Sequence, residues 1–327
     1  MSKTDNAVDR RILVVRGGAI GDFILTLPVL AALRRRFPQH RLEVLGYPSV
    51  AALAVAGGLV DDVRALESAQ FAGFFVANGS WSEEVGAWFS GFESIISYLH
   101  DPHGMFQANV ARCSGANFIV GPHRPDETLE IHAVEQLLRP LQAVGIRNSN
   151  QRPRLPFPPV DSGTMRVALH PGSGSEKKNW PEAQWAGLLK LIADQTDCEI
   201  MLIGGEAEGE RCARLAERFP KGRVKVAQNL PLLELAFRMQ DCVAFVGHDS
   251  GMTHLAAALD LPGLVLWGES SLATWRPQSA RLKILRDPGG LAALPVAAVW
   301  DAFKHFEWQF PVLNPKLVPN HRLNQEQ

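Results

Sequence analysis

The stretch Arg11-Ile-Leu-Val-Val-Arg16-Gly17-Gly18-Ala-Ile-Gly21-Asp22 decides the fold. Residues 12–15 are all apolar and β-prone, the pattern of a strand buried on both faces. The glycines that follow turn the chain into a helix. A strand, a glycine loop and a helix N-terminus together expose backbone N–H groups and the positive end of the helix dipole, which suits anions. A second junction of this kind, Val246-Gly-His-Asp249-Ser250-Gly251-Met-Thr-His254, stands near the other end and runs into Leu-Ala-Ala-Ala. Two such junctions predict two α/β domains that hold a ligand between them.

Composition sets the outer bounds. A chain of 327 residues with 46% apolar and 20% charged content is an ordinary globular protein with room for two cores. The net charge of −1 gives no case for a nucleic-acid partner. A local basic run, Arg34-Arg35-Arg36 with His40 and Arg41, reads as a solvated helix end or as a contact for acidic lipid headgroups. The four cysteines (Cys113, Cys198, Cys212 and Cys242) form no CxxC pair, so reduced thiols in a cytoplasmic protein are expected. The polar start MSKTDNAVDRR lacks the apolar core of a secretion signal. No apolar run reaches the ~18 residues of a membrane span; peripheral membrane contact stays open.

Strand-like and helix-like segments alternate along the chain. In the first half, strands are expected at 12–15, 42–45, 62–66, 94–99 and 118–120, with helices over 28–37 and 132–144. Pro28 requires a kink or a fresh helix start, with Thr26 near the cap. The segment 152–159 holds four prolines and reads as a stiff interdomain linker. In the second half, strands are expected at 166–169, 199–203, 224–226, 244–246, 263–266 and 282–285. Helices are expected over 182–193, 208–218, 232–239 and 252–259. This alternation predicts doubly wound parallel sheets, with ligands outside the carboxyl ends of the strands. The aromatic tail, 296–310, is expected to pack on a domain surface.

Three segments carry candidate chemistry. The first glycine loop is neither GxGxxG nor a P-loop. Asp22 reads as a helix cap or first-turn carboxylate, or as a general base that activates a hydroxyl. Arg16 is placed to pair with Asp22 or to hold a phosphate. The second segment, His170-Pro-Gly172-Ser173-Gly174-Ser175-Glu-Lys177-Lys178-Asn-Trp180-Pro181, offers hydroxyls, unhindered amides and positive charge, a cradle for a diphosphate or else a solvated loop. Trp180 reads as a packing residue. In the third segment Asp249 suits an N-cap, Gly251 lets a ligand approach the helix backbone, and His254 shares a helix face with Ser250. Scattered histidines support no metal site. His100-Asp101-Pro-His103 reads as a polar loop. The absence of GxGxxG argues against a dinucleotide oxidoreductase, and the absence of GxSxG against a serine hydrolase.

These three segments, in this order, resemble glycosyltransferase family 9, the ADP-heptose–lipopolysaccharide heptosyltransferases and their relatives. The resemblance implies a GT-B fold: two Rossmann-like domains facing a central cleft, an N-terminal acceptor domain over 1–155 and a C-terminal nucleotide-sugar domain over 160–295. A segment from 296 to 327 would pack back toward the N-domain. It also implies an inverting glycosyltransferase without a permanently bound cofactor or metal. The donor would be a nucleotide diphosphate sugar such as ADP-heptose, and the acceptor a lipopolysaccharide-type or other glycan or glycolipid. The place of action would be the cytoplasm or the cytoplasmic face of the inner membrane. Asp22 matches the general base. Ser173, Ser175, Lys178, Glu208, Asp249, Ser250, Gly251 and His254 match the donor site. Arg16, standing where many members have lysine, falls on the acceptor or phosphate side with Gly18, Gly21 and His103. The region 80–124, with Trp81, Trp88 and Phe106, departs from a standard heptosyltransferase. The alternatives are a GT-B transferase with another sugar and acceptor, and a nucleotide-sugar-binding relative without activity.

Overall fold

The structure, a computed structural model, describes residues 10–158, 163–220 and 222–306. The chain divides into two units between Phe157 and Pro158. Each unit is built on its own all-parallel sheet.

In the first unit the strands are β1 (Arg11–Arg16), β2 (Arg41–Gly46), β3 (Asp62–Ala65), β4 (Ser94–Ser97) and β5 (Asn117–Val120). They lie in the order β3-β2-β1-β4-β5. Helices α1 (Ile20–Arg36), α2 (Pro48–Ala56), α3 (Glu83–Ser90), α4 (Met105–Ala111) and α5 (Ala133–Leu138) connect or cover them. The winding reverses between β1 and β4, so the crevice for a ligand lies at their carboxyl ends. Central β1 is buried, as its apolar run predicts. Leu13, Val15, Leu45 and Ile95 share one core with Phe71, Phe74, Trp88, Phe89 and Phe106.

Helix α1 corrects the sequence reading. It starts at Ile20, not Pro28, and runs through the proline. An internal proline costs about 3 kcal/mol. Burial of Phe23, Ile24, Leu25, Leu27, Val29, Leu30 and Leu33 along this helix contributes about 1.5–3 kcal/mol per side chain, so burial wins. Thr26 is not near a cap: it is buried inside the helix, and its hydroxyl donates to the Asp22 carbonyl at 2.8 Å. The helix expected over 132–144 is also different. It is α5 followed by a 3₁₀ turn, Arg139–Val144, because Pro140 lacks the N–H that α geometry needs.

The second unit holds β6 (Arg166–Leu169), β7 (Glu199–Gly204), β8 (Val224–Gln228), β9 (Ala244–His248), β10 (Gly263–Leu266) and β11 (Leu282–Leu285). Their order is β11-β10-β9-β6-β7-β8, with the reversal between β6 and β9. Its helices are α6 (Glu182–Gln195), α7 (Arg211–Ala216), α8 (Leu232–Gln240), α9 (Gly251–Ala258), α10 (Leu272–Trp275) and α11 (Val296–Lys304). The helix expected over 208–218 is interrupted. Gly209, at φ +49°, separates a 3₁₀ turn, Glu206–Glu208, from α7.

Helix α11 opens the segment that was expected to pack toward the N-domain. Its apolar face, Val299, Trp300 and Phe303, joins a core of its own unit with Trp185, Leu188 and Ile192. The aromatic residues Trp308 and Phe310 lie outside the described residues. Among the described residues, no helix is long and apolar enough to cross a membrane. The four cysteines are free, and all but the half-buried Cys113 are buried. Burial pushes the Cys212 and Cys242 thiols up to about 12.

Candidate functional site

The sequence-derived residues of the first unit gather at the β1–β4 reversal. Asp22 is in the first turn of α1, not at its cap position, which is Ala19. Its Oδ2 accepts the Ala19 N–H at 2.9 Å, half of a capping box. Its Oδ1 stands 3.5 Å from the Arg16 guanidinium, and the side chain is 30% exposed. Gly18 holds φ +102°, and a Cβ there would lie 2.8 Å from Asp22 Oδ2. Only glycine meets both conditions. Gly21 is the second residue of α1.

Arg16 does not hold out its charge for a phosphate. It is buried, with Nη1 donating to the His123 carbonyl at 2.9 Å and Nη2 to the Asp22 carbonyl at 3.2 Å. Burial pushes its pKa below the ordinary arginine value, while Asp22 and Tyr98 pull it back. His123, which the sequence reading missed, follows β5 and lies 4.4 Å from His100, ring centroid to ring centroid. Burial and the neighbouring His100, Arg16 and Arg124 lower its pKa, and Asp22 opposes them. His103 is exposed, in a turn closed by the Gly104 N–H on the Asp101 carbonyl at 3.0 Å. Of the aromatics that set this region apart, Trp88 and Phe106 are core residues and Trp81 packs against that core.

In the second unit the other two predicted segments, 170–181 and 249–254, meet at the β6–β9 reversal. Their foundation is two buried histidines absent from the expected site. His248, at the end of β9, accepts the Trp180 N–H at its Nε2, 2.9 Å away. Its Nδ1 must then carry the proton toward the Gly172 carbonyl at 3.2 Å. One neutral ring thus fastens both ends of the loop that follows β6. His170 places Nδ1 3.4 Å from Ser250 Oγ and Nε2 3.7 Å from Glu208 Oε1. Burial lowers His170 to about 4 and His248 to about 3. His248 could have been foreseen from its place beside Asp249; His170 opens the loop motif itself.

Around this base stand the expected donor residues. Glu208 is nearly buried, with Oε2 on the Gly205 N–H at 2.6 Å. Gly172 makes room for it: a Cβ there would come within 2.1 Å of Glu208 Oε1. The Ser173 hydroxyl is spent within its loop, donating to Asn179 Oδ1 at 2.7 Å. Ser175 stands at the N-cap position of a 3₁₀ turn, Glu176–Lys178, without a side-chain cap bond. Trp180 is buried, as a packing residue should be, with its indole N–H on the Leu294 carbonyl at 2.8 Å. Asp249 is not the cap of α9. That position is Ser250, and Asp249 instead pairs with Lys178 at 2.7 Å. No side chain caps the amides of α9, although Gly251 leaves them accessible. His254 is buried in the same helix. Among the described residues, no group of three His, Cys, Asp or Glu side chains is arranged to hold a metal.

Two parallel doubly wound sheets with crevices at their carboxyl ends define the GT-B class. The same fold occurs in Escherichia coli ADP-heptose lipopolysaccharide heptosyltransferase II (TM-score 0.73, 16% identity, 90% of this chain and 97% of that one). It occurs also in E. coli heptosyltransferase WaaC with ADP (TM-score 0.68, 23% identity, 90% and 99%). The family profile "Glycosyltransferase family 9 (heptosyltransferase)" matches residues 141–293. Lipopolysaccharide heptosyltransferase 1 of E. coli O18:K1:H7 is 32% identical over 142 residues, 43% of each chain. The corresponding Pseudomonas aeruginosa enzyme is 27% identical over 290 residues, 80% of this chain and 79% of that one. The chain thus matches less than half the length of the first E. coli relative. The match to the glycosyltransferase family 9 model spans just under half of the chain.

Proposed function

We propose that the protein is an inverting glycosyltransferase that moves a sugar from a nucleotide diphosphate sugar to a glycan or glycolipid acceptor of the cell envelope. ADP-heptose is the leading donor, and lipopolysaccharide the leading acceptor class. The observation that carries the reading is the β6–β9 crevice. The uncapped N-terminus of α9 meets the loop after β6 there, with Lys178 and Ser250 at the junction. Amides, a hydroxyl and an ammonium suit a leaving diphosphate. Lys178 is held by the buried Asp249, but its own side chain is 44% exposed, so a diphosphate can reach the ammonium. Relatives named as acting on lipopolysaccharide, and a structural neighbour named as holding ADP, support the choice of donor and acceptor.

Asp22 supplies the base. In one step its carboxylate takes the acceptor hydroxyl proton, the acceptor oxygen forms the new bond to the anomeric carbon, and the bond to the diphosphate breaks with its electron pair. The His100–His123 pair and His103 belong to the acceptor side in this reading.

Calorimetric titration with ADP, UDP, GDP and dTDP tests it. Selective ADP binding that weakens in Lys178→Ala is expected. Preference for another nucleotide replaces ADP-heptose as donor. Failure of all four to bind sinks the donor-site assignment.

A further inference from the structure

Arg16 ends β1, and its side chain is only 2% exposed. Nη1 donates to the carbonyls of His123 at 2.9 Å and Tyr98 at 3.4 Å. Nη2 donates to the Asp22 carbonyl at 3.2 Å and stands 3.5 Å from its carboxylate. Nε is buried with no hydrogen-bond partner among the described residues. Leaving a buried donor unpaired is destabilising, and buried ion pairs are often replaceable by apolar groups without loss of stability. Stability alone therefore does not account for this arginine.

Geometry does. A guanidinium is a rigid planar fork, whereas an ammonium is a point charge on a flexible stem. The fork of Arg16 joins the carboxyl end of β1 to the chain just beyond β4 (Tyr98), just beyond β5 (His123) and to the first turn of α1 (Asp22). Asp22 is consequently gripped twice. Its backbone is held by the fork, and its carboxylate lies between the guanidinium and the Ala19 N–H.

We propose that Arg16 is the positioning residue for Asp22, a buried fork that fixes the carboxylate in one orientation relative to the strand ends carrying Tyr98 and His123. This rests on the reading of Asp22 as the general base. The group is not an acceptor ligand: both terminal nitrogens are turned inward onto carbonyls. It also sets the His123 backbone, and through it the His100–His123 pair, in the same frame as the carboxylate.

The test compares Arg16→Met, Arg16→Lys, Asp22→Asn and Arg16→Met/Asp22→Asn in the full chain. ADP-heptose is the donor, truncated lipopolysaccharide the acceptor, and ADP release the readout. Misplacing a catalytic group by about 1 Å costs on the order of 100-fold. Arg16→Met is expected to lower kcat by about 10- to 100-fold, with the donor KM changed less than about twofold. Arg16→Lys, which keeps the charge, should recover part of the loss. In the Asp22→Asn background, Arg16→Met should have almost no further effect, because the group it positions is gone. Losses that multiply across the two sites overturn the proposal, as does a parallel fall in ADP affinity. Should Arg16→Met not fold, Arg16→Lys carries the same comparison. A crystal structure of either Arg16 variant decides independently of activity: a displaced Asp22 carboxylate is expected, and an unmoved one overturns the proposal. If Asp22→Asn keeps full activity, the base assignment fails first, which is a different result from an Asp22-dependent enzyme indifferent to Arg16.

Discussion

The two strand reversals are built on the same topology and solve opposite electrostatic problems. At β1–β4 the helix end is already occupied: Asp22 caps α1 from within, and a buried arginine backs it. At β6–β9 the helix end is left open, and the groups beneath it are two neutral histidines. A capped terminus with a fixed carboxylate suits proton removal, whereas an uncapped terminus with Lys178 beside it suits an incoming anion. The difference teaches that the glycine junction alone does not set the chemistry; the side chain within the first helical turn does.

The comparison breaks most visibly at Asp22. Asp22→Ala is expected to lower transfer by at least about 100-fold while ADP affinity stays close to the parent's, since general-base catalysis contributes about 10²–10⁴-fold. Kinetics and calorimetry on the same preparation check it. An equal loss of nucleotide binding would mean that the two reversals do not divide the work. Gly172→Ala comes next. The added methyl meets the Glu208 carboxylate, and the overpacking should cost about 1–3 kcal/mol, read as a lower unfolding midpoint with weakened ADP binding. Lys178→Ala should raise the ADP Kd by about 10-fold, in line with the loss of one charge-assisted contact. Its unfolding free energy should fall by about 1–3 kcal/mol, because the buried Asp249 loses its ion-pair partner.

A pH profile sharpens the comparison from the side of the two buried histidines. His170 and His248 have folded pKa values depressed to about 4 and about 3, against an ordinary 6.5. The unfolded chain binds protons that the folded chain refuses. Their stabilisation is therefore complete above pH 6.5 and is lost as pH falls from there toward 4, by up to about 1.4 kcal/mol per pH unit for each ring. Unfolding free energies from pH 7 to 4.5 should show this slope, and His170→Asn should remove one ring's share. A flat profile in the parent protein would mean that these rings are protonated in the fold.

The topology was legible because buried parallel strands announce themselves as apolar runs, and every expected strand is present. Helix starts were less legible. Pro28 is a strong local signal, yet the apolar residues around it outweigh its penalty. At Gly209 the reverse happened: a helical pattern was cut by one glycine at positive φ. The site was readable where its chemistry is consecutive in sequence, as in Asp249-Ser250-Gly251. It was unreadable where contacts cross the sheet. His248 to Trp180, His170 to Ser250, and Arg16 to His123 join residues far apart in the chain, and no local spacing encodes them. Trp88 and Phe106 misled in the other direction, because an aromatic cluster reads alike whether it lines a wall or fills a core.

The division at Phe157–Pro158 has an evolutionary consequence. The aromatic core of the first unit and the core that α11 joins in the second are each made from residues on one side of that single point. A genetic crossover in the proline-rich codons between them would therefore leave both of these cores intact.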